Sequence, residues 1–232
     1  MNTPSTHKQR PMVDLMVSIV IPSFVLMKLS GDEDLGATGG LITALAFPLI
    51  WGLFELIKYR KFNFIALLGL VSVMLTGGIG LFELDTKWLA IKEAAIPRLI
   101  GIGVLVSTFT PYPLIKALLF NPEIMNIEKI KQKLDENDST AQFEKGLLNA
   151  TYFVAGSFAF SAVMNYILAK WLVTSPAGTP EFNEQLGELT LYSYPVIALP
   201  SMLMMFGIFY YLWRIIHGLT GLELDEVIAA KK

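Results

Sequence analysis

Few side chains in this sequence could do chemistry, and most of those sit inside apolar runs. There is no cysteine, which removes disulfides, thiolate metal sites and thiol nucleophiles. The two histidines, His7 and His217, belong to no His–carboxylate cluster, so no metal or haem site is expected. No serine motif has a histidine partner, and no glycine-rich loop follows a strand to cradle phosphate. The sequence therefore predicts no catalytic residues, no metal and no cofactor, and reads as non-enzymatic.

What remains is polarity buried in apolar segments. Arg98 lies about four residues into such a segment, where charge is costly and is usually paired or close to water. Two readings are open for it. It could line a path for ions or lipid headgroups, with Glu93, Glu83 or Asp85 as partner. Alternatively it snorkels to the headgroups, which the shallow depth favours at about 1.5 Å per residue. Glu55 presents a similar choice: an interfacial pair with Lys58 or Tyr59, or a polar vestibule shared with Asp14. Asn149 and Asn165 accompany Ala155, Gly156, Ser157, Ala159, Ser161 and Ala162, a composition that predicts a helix-packing face. Asn165 is a further candidate for contact with a substrate. The candidate path residues are thus Arg98, Glu93, Glu55 and Asn165.

The elements that must position these groups are apolar runs at roughly Met12–Leu29, Gly36–Ile57, Phe62–Phe82, Ala94–Phe109, Leu147–Leu172 and Leu189–Ile215. The chain is 53% hydrophobic and 16% charged, with a mean hydropathy of +0.54, outside the balance of a soluble domain. With the N-terminus inside, 13 Lys and Arg fall on the inner side of these runs and 4 on the outer. That excess is the positive-inside pattern. It predicts an all-α, polytopic helical membrane protein of about six transmembrane helices with both termini cytoplasmic. The run at 94–110 is the weakest span, and a five-helix reading with that run re-entrant or tilted is also open.

Residues 1–11 read as a disordered cytoplasmic lead, 12–216 as a single membrane domain, and 217–232 as a cytoplasmic tail. The first run is not expected to be a cleavable signal, since it carries Asp14 and lacks a small-residue cleavage site. Within 121–145, Ile124, Ile127, Ile130 and Leu134 form a narrow apolar stripe. This predicts a short cytoplasmic amphipathic helix on the inner leaflet or on the bundle, ending at Asn137-Asp138-Ser139. Residues 30–35, 83–92 and 174–188 are expected to face outward, the last of them as a loop. Trp88 and Trp171, each beside a lysine, read as interfacial anchors. Gly36 and Gly40, and Gly77, Gly78 and Gly80, are the expected helix-packing positions. Pro195 and Pro200 could break the last helix in the manner of transporters. A net charge of −2 with no basic stripe argues against a nucleic-acid partner. The expected partners are the lipid bilayer and other inner-membrane proteins or a second copy of the chain.

Several short motifs resemble a known family. Tyr59-Arg60-Lys61, Ala66-Leu67-Leu68, Gly77-Gly78, Leu81-Phe82 and Trp88 follow the order seen in the intracellular septation protein A family, which is a small inner-membrane family of Gram-negative bacteria. Pro113-Leu114-Ile115 resembles that family's Lys-Pro-Leu-Ile stretch, with Tyr112 in the place of Lys. Asn165-Tyr166-Ile167-Leu168-Ala169-Lys170-Trp171-Leu172 is similar to its Asn-x-Tyr-x-Ala-x-Trp-Leu stretch. The resemblance covers roughly residues 40–215. The chain departs from the pattern in a longer 121–145 segment, longer acidic outer loops, and Lys92, Glu93 and Arg98 in an otherwise neutral helix. The resemblance implies a bacterial inner-membrane location and a non-enzymatic role in the cell envelope and septation, through contacts with other membrane proteins. The alternative from a different class is a small oligomeric transporter or channel for ions or small solutes.

Overall fold

A computed structural model describes residues 12, 15–59, 64–110 and 125–228, without the side chains of 55–59, 64–67 and 70. The expectations for residues 1–11, Asp14, the Glu55 side chain, Arg60-Lys61, the Pro113-Leu114-Ile115 motif, Ile124 and the end of the tail lie outside the described residues. Among those described, the fold is all-helical. The elements are α1 (Met16–Lys28), α2 (Gly36–Tyr59), α3 (Phe64–Leu81), α4 (Lys87–Ser107), α5 (Ile127–Glu136), α6 (Thr140–Leu172), α7 (Pro180–Ser193), α8 (Leu199–Thr220) and a single turn, α9 (Leu224–Val227).

Three stretches are long and apolar enough to cross a membrane: Gly36–Phe54, Thr140–Leu172, and the continuous helical path Pro180–Thr220 formed by α7 and α8. At 33 and 41 residues, the latter two run to about 50 and 60 Å, well beyond a hydrocarbon core of about 30 Å. The other apolar runs are shorter (Met16–Lys28 and Val71–Leu81) or, in α4, carry Lys87, Lys92, Glu93 and Arg98.

Two expected boundaries are corrected. Residues 174–188 are not all loop. Thr179 caps a helix by accepting the Phe182 N–H at 3.2 Å, and Pro180 follows at the first helical position, where its missing N–H costs nothing. The 121–145 segment is likewise not separate from the next helix. Asp138, at φ 49°, makes a left-handed turn, and α6 begins at Thr140, well before the apolar run at Leu147.

The chain contacts divide into two units. The first comprises residues 1–93 and 165–195. There α1 packs on α7 and α2, and α2 on α3. Small residues allow the approach: a Cβ at Gly187 would fall 2.9 Å from the Ser23 carbonyl oxygen, and one at Gly40 would collide with the Ser30 hydroxyl. Asn183 is buried at this seam. Its amide donates to the Ala37 carbonyl at 2.7 Å and to Ser30 Oγ at 3.1 Å.

The second unit comprises residues 94–164 and 196–232. Its core joins Ile130 and Leu134 of α5 to Phe143, Leu147 and Val154 of α6 and Leu212 and Ile216 of α8. The α5 stripe thus faces protein. The segment after α8 holds α5 in place. Gly221, at φ 69°, ends α8 in the left-handed conformation that glycine tolerates best. Beyond it the Asn126 N–H donates to the Val227 carbonyl at 2.8 Å and Lys129 pairs with Glu226 at 2.8 Å, while Asn137 donates to the Leu219 carbonyl in the last turn of α8 at 2.8 Å.

Prolines mark the irregular turns. A π-helical turn at Met16–Val20 precedes Pro22, and another at Tyr194–Ala198 precedes Pro200. In each case the residue four before the proline, Ser18 or Val196, lies inside the widened turn. A proline cannot donate to that carbonyl and its ring crowds it, and a π-turn relieves both problems. The expected break at Pro195 and Pro200 takes this form, a widened turn in a continuous helical path.

Candidate functional site

A cluster of partly buried charged and hydroxyl groups lies where α3 turns into α4. The turn is built by local hydrogen bonds. The Leu84 N–H reaches the Ile79 carbonyl at 2.9 Å and the Glu83 N–H reaches Gly80 at 3.3 Å. Glu83 takes the left-handed position at φ 51°. This is a Schellman stop with glutamate where glycine is usual. Asp85 then starts α4, accepting the Lys87 N–H at 2.9 Å and pairing with the Lys87 ammonium at 3.1 Å. The backbone bond from Lys87, with the side-chain bond behind it, holds the Asp85 carboxyl below its ordinary range.

This hairpin brings Lys92 level with Ser72 and Thr76, since both Lys92 and Thr76 lie five residues from their helix's end at the turn. Ser72 and Thr76 are four apart and share a face of α3. The Lys92 ammonium donates to Thr76 Oγ1 at 2.8 Å and Ser72 Oγ at 3.2 Å, and it pairs with Glu93 at 2.6 Å. Thr76 donates its own proton to the Ser72 carbonyl at 3.1 Å, so its oxygen lone pairs face the ammonium. Only 9% of the Lys92 side chain is exposed, against 27% for Glu93. Counted from Leu81, the ammonium sits roughly 8–14 Å down α3.

The predicted candidates separate around this cluster. Glu93 belongs to it, as the partner of Lys92. Arg98 stands exposed farther along α4. Two of the acids expected as its partner are otherwise engaged, Glu93 with Lys92 and Asp85 with Lys87. Asn165 is half-buried on α6. Trp88 and Trp171 are exposed, at 51% and 74%. Among the glycines, Gly77 and Gly80 meet Leu45 and Leu41 of α2, and Gly40 meets Ser30. Among the described residues, Gly78 meets Phe82 of its own turn at 4.0 Å and nothing else, and no neighbour faces Gly36, whose φ of 68° makes it a turn residue.

The charge of Lys92 places it in an outer loop on sequence grounds, and that hides its role. A usable signal is present in Ser72 and Thr76, two hydroxyls at helical spacing in a highly apolar helix. Among the described residues, no group of three His, Asp or Glu side chains could hold a metal ion. No family model matches this chain, and neither a curated protein nor a solved structure matches it.

Proposed function

We propose that this chain is an integral membrane protein that conducts or transports small anionic solutes, with Lys92 as the binding group. The observation that carries the reading is the nearly buried Lys92 ammonium, held by two hydroxyls and one carboxylate deep in a helical hairpin. A charge at such depth in a membrane helix is expensive and is by default functional. An anion entering the site replaces Glu93 on the ammonium, while Ser72 and Thr76 keep their hydrogen bonds to it. The pairing of Lys92 with Glu93 neutralises the empty site, and the more exposed Glu93 is the partner that can withdraw. The 13-to-4 distribution of basic residues supports an arrangement of six spans with both ends of the chain on the cytoplasmic side, and a bacterial inner membrane rests on the resemblance of the motifs at 59–88 and 165–172.

The test is flux into liposomes reconstituted with the purified protein, screened across small anions. Lys92→Met should abolish flux while far-UV circular dichroism and gel filtration remain those of wild type. A folded Lys92→Met protein with wild-type flux would refute the proposal. A second reading, an envelope- and septation-associated protein acting through membrane-protein contacts, rests on the motifs at 59–88 and 165–172. It expects no flux and a division defect on deletion, which Lys92→Met would rescue.

A further inference from the structure

A second polar feature lies in the other unit, between α6 and α8. Gln142, Lys145 and Asn149 recur on α6 at spacings of three and four, and Tyr211, Arg214 and Gly218 do so on α8, so each set forms one helix face. The two faces line an open cleft of about 380 Å³. At its neck Gly146 lets α8 approach, since a Cβ there would fall 2.7 Å from Ile215 Cδ1. At one end Asn149 donates to the Tyr211 hydroxyl at 3.3 Å. Its two charged lining groups are both cations, Lys145 and Arg214, and no carboxylate lines it among the described residues. Both side chains are exposed, and neither has an ion-pair partner among the described residues.

We infer that this cleft binds a phosphate group, supplied by the headgroup of an anionic lipid. The guanidinium fork of Arg214 suits two phosphate oxygens, and Lys145 adds a point charge from the facing helix. Gln142 and Asn149 can meet the remaining oxygens and the headgroup hydroxyls. The apolar flank at Ile215 and Leu219 suits the glycerol and upper acyl carbons of a lipid, which a free phosphate would leave uncovered. On α8 the exposed Tyr210 stacks obliquely on Trp213, with ring centroids 5.6 Å apart. Such rings mark headgroup depth, and basic pockets between membrane helices are the expected sites for anionic headgroups. This inference is independent of the role proposed for Lys92.

The test uses the full chain in neutral detergent, with melting temperature and native mass spectrometry as readouts. Short-chain phosphatidylglycerol, phosphatidylcholine of the same acyl length and inorganic phosphate are titrated separately. Phosphatidylglycerol should raise the melting temperature saturably and appear as a discrete adduct, with phosphatidylcholine far weaker. The double variant Lys145→Gln/Arg214→Gln removes two exposed charges that have no ion-pair partner among the described residues, so its lipid-free melting should match wild type. Its affinity for phosphatidylglycerol should fall roughly tenfold to a hundredfold, as the loss of a charge-assisted contact predicts. A response to inorganic phosphate alone, lost in the double variant, would keep the phosphate chemistry and move its source to a soluble ester. Equal responses of wild type and variant to phosphatidylglycerol, equal responses to the two lipids, or no response to any titrant would overturn the inference.

Discussion

Replacing Lys92 by methionine keeps the length and the methylenes and removes the charge. In the native hairpin the ammonium has three partners within 3.2 Å and 9% of its side chain exposed. Removing one member of a buried pair costs about 3–5 kcal/mol, because the other charge is stranded. Glu93 is 27% exposed, so part of that cost is recovered by hydration, and about 2–4 kcal/mol is the working figure for Lys92→Met. Thr76 and Ser72 add little to it. Thr76 keeps its bond to the Ser72 carbonyl, and an apolar neighbour leaves no new buried donor. Neutralising the stranded partner should therefore restore most of the loss. Lys92→Met/Glu93→Gln is expected within about 1 kcal/mol of wild type, so the second substitution restores about 1–3 kcal/mol of what the first removes. Reversible unfolding in mixed micelles, followed by far-UV circular dichroism, measures all four corners. If Lys92→Met alone costs less than about 0.5 kcal/mol, the level of an ordinary exposed site, the ammonium is hydrated and the buried-charge reasoning fails.

Four further outcomes follow from particular contacts. Gly80→Leu should destabilise by about 1–3 kcal/mol through collision with Leu41, whereas Gly78→Leu should melt like wild type; the reverse order would mean the α2–α3 seam is misassigned. Asn183→Ala should cost about 1–3 kcal/mol by removing the amide bound to Ala37 and Ser30, read by the same unfolding assay. The Glu226 carboxyl is held below its ordinary range, chiefly by the Lys129 hydrogen bond. Its contribution is therefore complete above the unfolded value of about 4.3 and is lost as pH falls through the depressed folded value. Protection of the amides at 222–228, taken against the intrinsic exchange rate at each pH, should fall in acid, and Glu226→Gln should show that fall at pH 7. Sidedness can be mapped without background, since there is no native cysteine. Lys131 and Pro176, both exposed, suit single cysteines. Reaction of the Lys131 position with an impermeant thiol reagent added outside would contradict a cytoplasmic α5.

Periodicity and composition are enough to read the helical class and the α5 stripe, because burial of Ile130 and Leu134 follows from their spacing alone. Helix starts are less legible. The Thr179-Pro180 start lies in a segment whose Pro, Gly and Glu content suggests a loop, although the cap and the following proline are local signals. Lys92 misleads for a different reason. Its charge suggests solvent, and what buries it is a pair of hydroxyls on another helix, at separations of 16 and 20 residues. A pattern read along one segment does not report that meeting. The cleft between α6 and α8 is hidden in the same way, since Lys145 and Arg214 meet only when two distant helices pack.

The clasp on α5 has a consequence in time. Lys129 and Glu226 are 97 residues apart, so at synthesis rates of about 5–20 residues per second their partnership forms some 5–20 s after α5 is made. Helix formation itself takes about a microsecond. For that whole interval the α5 segment, too short at 10 residues to hold a helix well alone in water, lacks Leu212, Ile216, Leu222 and Val227 against its apolar edge. The nearest refuge for such an edge is the membrane surface. Leaflet and bundle are then expected as successive addresses of the same residues, with the arrival of α8 moving them from one to the other.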